Sequence, residues 1–317
     1  MPEPVSFRGG AGVISALRWP GRTNVGLLLA HATGFCKEVW TPLVDVLREG
    51  YDGSVTAWDS RGHGESEPGE LPFDWWDFAA DVHAVIQQSS DAKRFGMGHS
   101  MGGAALAMAE ILRPGTFEAL VLIEPIVFRP PFGRFENPMV DGALRRKAVF
   151  PSPSAAFSNF ASKPAFARWD VEVMDAYVQG ALVDEAGDWR LRCRPEHEAD
   201  VYRGGSAHGA YERLEEMGRR LGMGLSAGAA EAGVPLTVVQ AGSTLTAFFR
   251  DSAPTNYAEA TTSDTEAFGR FHRAMLERGI HLAPSQYEGW FLSLAHDETL
   301  IDRTIEAARE SFVVAAG

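Results

Sequence analysis

The stretch FGMGHSMGGAALAMA, residues 95–109, places Ser100 between Gly98 and Gly102, in front of an alanine-rich run that is typical of a helix. A dinucleotide fingerprint, G-x-G-x-x-G, is excluded because Met101 stands where its third glycine would be. A phosphate loop is excluded because no lysine lies nearby. The remaining pattern, G-x-S-x-G between a strand and a helix, exposes a serine hydroxyl at the top of a sheet on a strained turn. The alternative is a turn in which the serine only caps the helix.

The composition is that of a globular protein, and it argues against several classes of partner. The chain of 317 residues is 45% hydrophobic, and 42 acidic against 29 basic residues give a net charge of −13. This charge disfavours nucleic acid and acidic membranes as partners. Cys36 and Cys193 are too few for a disulfide framework, and no apolar run is long enough for a membrane span. The sequence therefore predicts a cytoplasmic protein without a metal, a nucleic-acid partner or membrane contact.

Short apolar runs alternate with helical patterns in the first part of the chain, which predicts a parallel sheet covered by helices on both faces. The predicted strands are residues 25–32, 53–59, 93–98 and 118–125. The Pro- and aromatic-rich residues 126–203 then predict a lid over the carboxyl edge of this sheet. Its aromatic residues are expected either to line an apolar substrate pocket or to form the core of the lid itself: Phe128, Phe132, Phe135, Phe150, Phe157, Phe160 and Trp169.

Two further segments resemble motifs of the α/β-hydrolase family. HATGFCKEVW, residues 31–40, is similar to the family's H-G-x-x-x loop, with Ala32 where glycine is usual. DSRGHGESE, residues 59–67, is similar to its D-x-R-G-x-G-x-S turn. Together with the serine turn, these segments resemble the start of a hydrolase domain.

The resemblance implies roles for individual residues. Ser100 would be the nucleophile, and the backbone N–H groups of Thr33 and Met101 would form the oxyanion hole. His31 and His63 are expected to have structural roles in their turns.

A serine nucleophile also needs a base that accepts its proton and an acid that orients the base. The family has these residues in the chain order serine, acid, histidine. Glu124, at the end of the fourth predicted strand, stands at the earlier acid position of the family, or it pairs only with the lid. The later strands, which carry the family's histidine, are missing, so this part resembles a hydrolase truncated before its last strands.

Residues 211–311 resemble a different family, the C-terminal domain of glutamate-1-semialdehyde aminomutase, a pyridoxal-phosphate enzyme. The resemblance rests on YERLEEMGRRL, AEAGVPLTVVQAGSTLTAFF and NYAEATTSDTEAFGRFHRAMLERGIHLAPSQYEGWFLSLAHDETLIDRTIEAARE. The prediction is an α/β-hydrolase-like domain with a lid at 1–205, fused to a small α+β domain of the aminotransferase type at 206–317. All four lysines precede the join and none is in a cofactor-lysine context, so no cofactor is predicted.

His296 precedes the closing helix, where a hydrolase histidine would stand, although its segment SLAHDETLID belongs to the aminomutase-like block. It is the first candidate for the base. His197, His208 and His272 are weaker candidates.

Three functions are consistent with these residues. The first is a serine hydrolase for an ester or related acyl substrate that uses Ser100, Glu124 and His296, impaired by the loss of the family histidine. The second is an inactive fusion or binding protein, and the third and weakest is an aminomutase-like protein without its cofactor lysine. A sheet that ends at the fourth predicted strand has an unpaired edge, so self-association through this edge and a stability defect are expected.

Overall fold

The computed structural model describes residues 2–127, 137–205, 208–292 and 296–317, except for the side chain of Leu214. The chain divides into two compact units, Met1–His208 and Gly209–Gly317. The assignment of 1–205 and 206–317 to two family origins stays a prediction.

A six-stranded sheet forms the centre of the first unit. Its strands are β1 (Glu3–Gly9), β2 (Gly12–Trp19), β3 (Val25–Ala30), β4 (Ser54–Trp58), β5 (Lys93–His99) and β6 (Ala119–Ile123). They lie in the order β1-β2-β4-β3-β5-β6. The predicted strands β3 to β6 pair in parallel, which confirms the α/β class. The sheet is mixed rather than wholly parallel, because the N-terminal hairpin β1–β2 adds two antiparallel strands.

Helices connect the parallel strands and cover the sheet. They are α1 (Thr41–Leu47), α2 (Trp75–Gln87) and α3 (Met101–Leu112). Asp74 starts α2 by accepting a hydrogen bond from Trp76 N–H. Both α2 and α3 are buried over most of their length, and β4 is buried throughout. The core of this unit therefore lies around the central parallel strands, and β6 forms one edge of the sheet.

The segment predicted to be a lid, called the lid below, is a small helical layer with its own sheet. Its helices are α4 (Pro138–Leu144), α5 (Pro153–Ala161), α6 (Val171–Ala181) and α7 (Pro195–Gly204). Its strands are β7 (Val149–Phe150), β8 (Leu182–Glu185) and β9 (Asp188–Leu191), in the order β7-β9-β8.

The described aromatic residues of the lid pack on one another. Phe150 and Phe160 are almost fully buried in one cluster, with Phe157 and Trp169 packed against it. These four side chains therefore form the core of the lid. Phe128, Phe132 and Phe135 lie outside the described residues.

The second unit packs four helices with a three-stranded antiparallel sheet. Its elements are α8 (Ala210–Glu231), β10 (Thr237–Ala241), β11 (Thr244–Phe248), α9 (Tyr257–Ala260), α10 (Thr265–Glu277), β12 (Trp290–Phe291) and α11 (Glu298–Ala315). Leu225, Phe271 and Phe312 lie at the centre of its core.

Candidate active site

Ser100 occupies the sharp turn between β5 and α3. Its backbone has φ 54° and ψ −116°, a conformation that costs a non-glycine residue about 1–3 kcal/mol. The residue stands at the N-cap position of α3, yet its side chain makes no capping hydrogen bond. The interpretation of Ser100 as a simple helix cap is therefore wrong. The hydroxyl is carried on a strained turn and leaves the helix N–H groups uncapped.

Close backbone contacts explain the glycines beside the serine. A Cβ atom at Gly98 would lie 2.6 Å from the nitrogen of Gly103. A Cβ atom at Gly102 would lie 2.3 Å from the carbonyl oxygen of Ala30 and 2.6 Å from that of His31. The start of α3 therefore packs directly against the end of β3, and a side chain at either glycine would prevent this approach.

The backbone amides of Met101 and Thr33 have no acceptor among the described residues. Met101 is the first residue of α3, so its N–H has no partner within the helix. Thr33 follows β3, the strand next to β5, and is only 7% exposed. Within the described part of the chain, neither N–H donates a hydrogen bond. Buried amides without an acceptor are rare, so both are candidate donors to a developing oxyanion.

His31 orients the peptide that carries the Thr33 amide. The N–H of Ser60 donates to His31 Nε2 at 3.0 Å, which leaves Nδ1–H to donate to the Ala32 carbonyl at 2.8 Å. The Ala32–Thr33 peptide is planar and trans, so its N–H points away from that carbonyl. Burial lowers the pKa of His31 to about 4, which keeps the ring neutral in this arrangement.

A buried ion pair joins the two loops that resemble hydrolase motifs. Lys37 Nζ lies 2.7 Å from the Asp59 carboxylate. This carboxylate also accepts the N–H of Lys37 at 2.7 Å and the N–H of Glu65 at 2.9 Å. The ammonium group contacts the carboxylates of Glu38 and Glu65 as well. Lys37 thus serves to fix the loop after β3 against the turn after β4.

Glu124 directly follows β6 and lies beside the main chain of Ser100. The carbonyl of Ile123 accepts Ser100 N–H at 2.9 Å. Glu124 is exposed and has φ 46°. Burial lowers the pKa of His99, and the Glu124 carboxylate opposes this shift. The structure therefore brings Glu124 to the carboxyl ends of the parallel strands, where Ser100 also stands. The role of Glu124 as the acid stays a prediction.

Two of the histidine candidates occupy different units. In the first unit, the His208 ring stacks on Trp75 with 5.0 Å between centroids, and its Nε2 lies 2.7 Å from the Ile126 carbonyl oxygen. Ile126 donates its N–H to the Ser100 carbonyl at 3.3 Å. Standard backbone dimensions then place the His208 ring nitrogen within about 10 Å of the Ser100 carbonyl oxygen. His296 is half-buried directly before α11, in the second unit.

Local contacts hold His197 and His272, the other two candidates for the base. The ring centroid of His197 lies 5.7 Å from that of Phe73. His272 Nε2 lies 3.2 Å from the Leu282 carbonyl oxygen. These contacts keep each ring packed beside its own helix, α7 or α10.

Tyr177, which the sequence analysis did not single out, also reaches the loop after β3. It lies on α6 of the lid and donates its O–H to the carbonyl of Gly34 at 3.2 Å. The two residues are 143 positions apart, so no local pattern could have linked them.

Two neighbouring clefts border the hairpin β8–β9 and the start of α7, with volumes of about 390 and 380 Å³. Their lining includes Glu185 and Arg194 but not Ser100. We therefore assign neither cleft to an acyl substrate.

The described residues form neither a metal-binding cluster nor a membrane-spanning helix. In these ranges, no three His, Cys, Asp or Glu side chains are grouped so that they could hold a metal ion. None of the described helices combines the length and the apolar character needed to cross a bilayer.

One comparison with known proteins concerns the aminomutase resemblance. Glutamate-1-semialdehyde 2,1-aminomutase from Desulfosudis oleivorans is 50% identical over 104 residues, which are 33% of this chain and 24% of the aminomutase. This match confirms a partial resemblance to that family. The chain spans about a quarter of the length of the aminomutases that it matches.

Two solved structures share the fold of the first part of this chain. The peroxisomal α/β-hydrolase Lpx1 from Saccharomyces cerevisiae superposes with a TM-score of 0.54 and 18% identity, over 69% of this chain and 71% of that chain. E-2-(acetamidomethylene)succinate hydrolase superposes with a TM-score of 0.56 and 20% identity, over 67% and 76% of the two chains. These similarities show a common fold. The sequence model of the alpha/beta hydrolase family matches residues 27–217, and the chain therefore belongs to the alpha/beta hydrolase family.

Proposed function

We propose that the protein is a cytoplasmic serine hydrolase that acts on a small ester or related acyl substrate. The observation that carries the proposal is the conformation of Ser100, whose side chain makes no capping bond although its backbone is held in a strained turn at the start of a helix. Strain of this kind persists only where the surrounding structure enforces it, and it is concentrated at functional sites.

In the proposed reaction, Ser100 Oγ attacks the acyl carbon while its proton passes to a histidine. The N–H groups of Thr33 and Met101 stabilise the negative oxygen of the tetrahedral intermediate, and the loss of one such donor costs about 3 kcal/mol in related mechanisms. The histidine then protonates the leaving group, and water hydrolyses the acyl-enzyme. Glu124 orients the histidine.

The proposal requires one histidine to reach the serine. His296 is the candidate by chain order, because it precedes the last helix. His208 is the candidate by position, because two hydrogen bonds through Ile126 connect its ring to the Ser100 main chain. Single alanine variants of the two histidines distinguish these candidates.

The competing proposal is an inactive or binding protein. One observation favours it: His31, His63 and His83 are held by backbone carbonyls, so these histidines serve the fold. An aminomutase-like activity has less support, because none of the four lysines of the chain is in a cofactor-lysine context. Incubation with pyridoxal phosphate should therefore produce no new absorbance band.

The test is covalent labelling of the purified protein by a fluorophosphonate, with Ser100→Ala as the control. We expect labelling of the wild type, none of Ser100→Ala, and loss of labelling in one of His208→Ala and His296→Ala. A folded wild-type protein that is not labelled would overturn the proposal in favour of the inactive protein.

A further inference from the structure

The loop that carries Thr33 is held by the lid. The O–H of Tyr177 donates to the Gly34 carbonyl at 3.2 Å. The same peptide unit presents the N–H of Phe35, which donates to the Ala32 carbonyl at 3.1 Å. The Ala32 carbonyl belongs to the Ala32–Thr33 peptide unit, which in turn presents the N–H of Thr33. Two rigid trans peptides therefore connect the Tyr177 hydroxyl with the Thr33 amide.

Hydrogen bonds in such a chain polarise one another, and each peptide plane fixes the direction of the next group. If the Gly34 carbonyl lost its donor, this peptide could rotate and take the Phe35 N–H with it. Among the described hydrogen bonds of the Ala32 carbonyl, that of His31 would then remain to hold the Ala32–Thr33 peptide. The direction of the Thr33 N–H therefore depends on a side chain of the lid.

A buried charged pair supports Tyr177. Arg146 Nη2 donates to Tyr177 Oη at 3.0 Å, and Arg146 Nη1 donates to the Glu198 carboxylate. The Arg146 and Glu198 side chains are only 13% and 10% exposed, and Tyr177 is fully buried. Because Arg146 occupies an acceptor position of the phenol oxygen, the O–H remains directed at Gly34. Burial raises the pKa of Tyr177 to about 12, so the phenol keeps its proton at the pH values at which the protein is studied.

The backbone at Gly34 is fitted to this pair. Gly34 has φ +80°, and a Cβ atom there would lie 2.8 Å from Glu198 Oε1 and 3.3 Å from Arg146 Nη1. The three partners come from three parts of the lid: the segment after α4, helix α6 and helix α7. All converge on Gly34, the residue after Thr33.

We propose that Tyr177, supported by Arg146 and Glu198, is a positioning residue that aims the Thr33 amide at the reacting oxygen. The inference rests on the proposed hydrolase function and deepens it, because it makes the oxyanion hole depend on a correctly packed lid.

The test compares Tyr177→Phe with Tyr202→Phe. Tyr202 is a tyrosine of the same lid that also lies near Glu198 and Arg146, but in its described hydrogen bond its backbone carbonyl accepts from Asn137 Nδ2. The first readout is amide hydrogen exchange of Phe35 together with the amide NMR shift of Thr33, neither of which needs activity. The second readout is the rate of fluorophosphonate labelling at Ser100.

In Tyr177→Phe we expect exchange at Phe35 to accelerate about tenfold or more, the Thr33 signal to shift, and labelling to slow about tenfold. Tyr202→Phe should leave all three unchanged. Glu198→Gln, which keeps the side-chain shape, should give a smaller change in the same direction.

The outcomes separate the two proposals. A wild type that is not labelled would overturn the hydrolase function, whereas the exchange data would still decide whether Tyr177 holds the loop. Unchanged exchange and labelling in Tyr177→Phe would overturn the positioning role. Exchange that accelerates equally throughout the lid, together with a large fall in melting temperature, would also overturn it, because the hydroxyl would then serve only general stability.

Discussion

Of the two glycines that flank Ser100, Gly102 makes the closer backbone contact. We expect Gly102→Ala to destabilise the first unit by about 3 kcal/mol, because the added Cβ would press on the carbonyls of Ala30 and His31, which are backbone atoms. The free energy of unfolding from urea titration measures this effect.

Gly142 provides a matched control. It lies inside α4, and a Cβ atom there would meet nothing within 4 Å. Gly142→Ala should therefore stabilise the protein by about 0.5–1 kcal/mol. Equal effects of the two substitutions would contradict the close packing of α3 on the end of β3.

His31 and His63 make the first unit sensitive to acid. Burial lowers the pKa of His31 to about 4 and that of His63 to about 3, against an ordinary value of 6.5. The unfolded chain therefore binds protons first, and stability present above pH 6.5 is lost as the pH falls. Each histidine should remove about 1.4 kcal/mol of unfolding free energy per pH unit below 6.5.

The measurement is the unfolding free energy between pH 7 and pH 5 for the wild type and for His63→Asn. The variant should show a shallower loss with falling pH, because one of the two buried rings no longer titrates. His281→Asn, at an exposed position, should keep the wild-type slope. If His63→Asn kept it as well, another group would be responsible.

The sequence was sufficient to predict where Ser100 stands, since the glycines at 98 and 102 require a close backbone approach that a short motif can signal. The sequence was not sufficient to predict the contact that Tyr177 makes. The sequence pattern predicts that a tyrosine on an amphipathic helix is an ordinary core residue. The hydrogen bond of Tyr177 to Gly34 exists only because the lid folds back over the loop after β3.

For whole elements, the two units should respond separately to core substitutions. Phe312 in α11 is fully buried and stacks on Phe271 with 4.4 Å between centroids. Phe312→Ala should cost about 3–5 kcal/mol in the second unit. Phe150→Ala, in the core of the lid, should cost a similar amount in the first unit.

Differential scanning calorimetry of the full chain tests this prediction. We expect two transitions, one lowered by Phe312→Ala and the other by Phe150→Ala. A single transition that both substitutions lower equally would contradict independent cores.

Strands and helices were predictable where the sequence pattern was strong, and they were missed where that pattern was weak. The four parallel strands were found from their apolar runs. The hairpin β8–β9 was missed because its turn uses Ala186 at φ 58° before Gly187 at φ 95°. Alanine rarely adopts a positive φ, so EAGD carries less of a turn signal than Asn-Gly would.

For the molecule as a whole, the open edge at β6 predicts self-association between copies of this chain. This strand ends the six-stranded sheet, and Val121 is 52% exposed although it is apolar. Edge strands with unpaired N–H and C=O groups pair with other chains unless charges or bulges prevent it. We expect a concentration-dependent rise in mass by sedimentation, and Val121→Lys should abolish it.

Met139, on α4 of the lid, gives the control because it is 53% exposed, so Met139→Lys adds the same charge at an equally exposed apolar position. Glu118 and Glu124 flank β6 at its two ends, and an antiparallel pair of β6 strands centred on Val121 would bring them face to face. Like charges opposite one another weaken strand pairing, and salt screens them. Association of the wild type should therefore strengthen as salt is raised. If salt weakened it, or if Met139→Lys abolished it as well, the contact would lie elsewhere on the molecule.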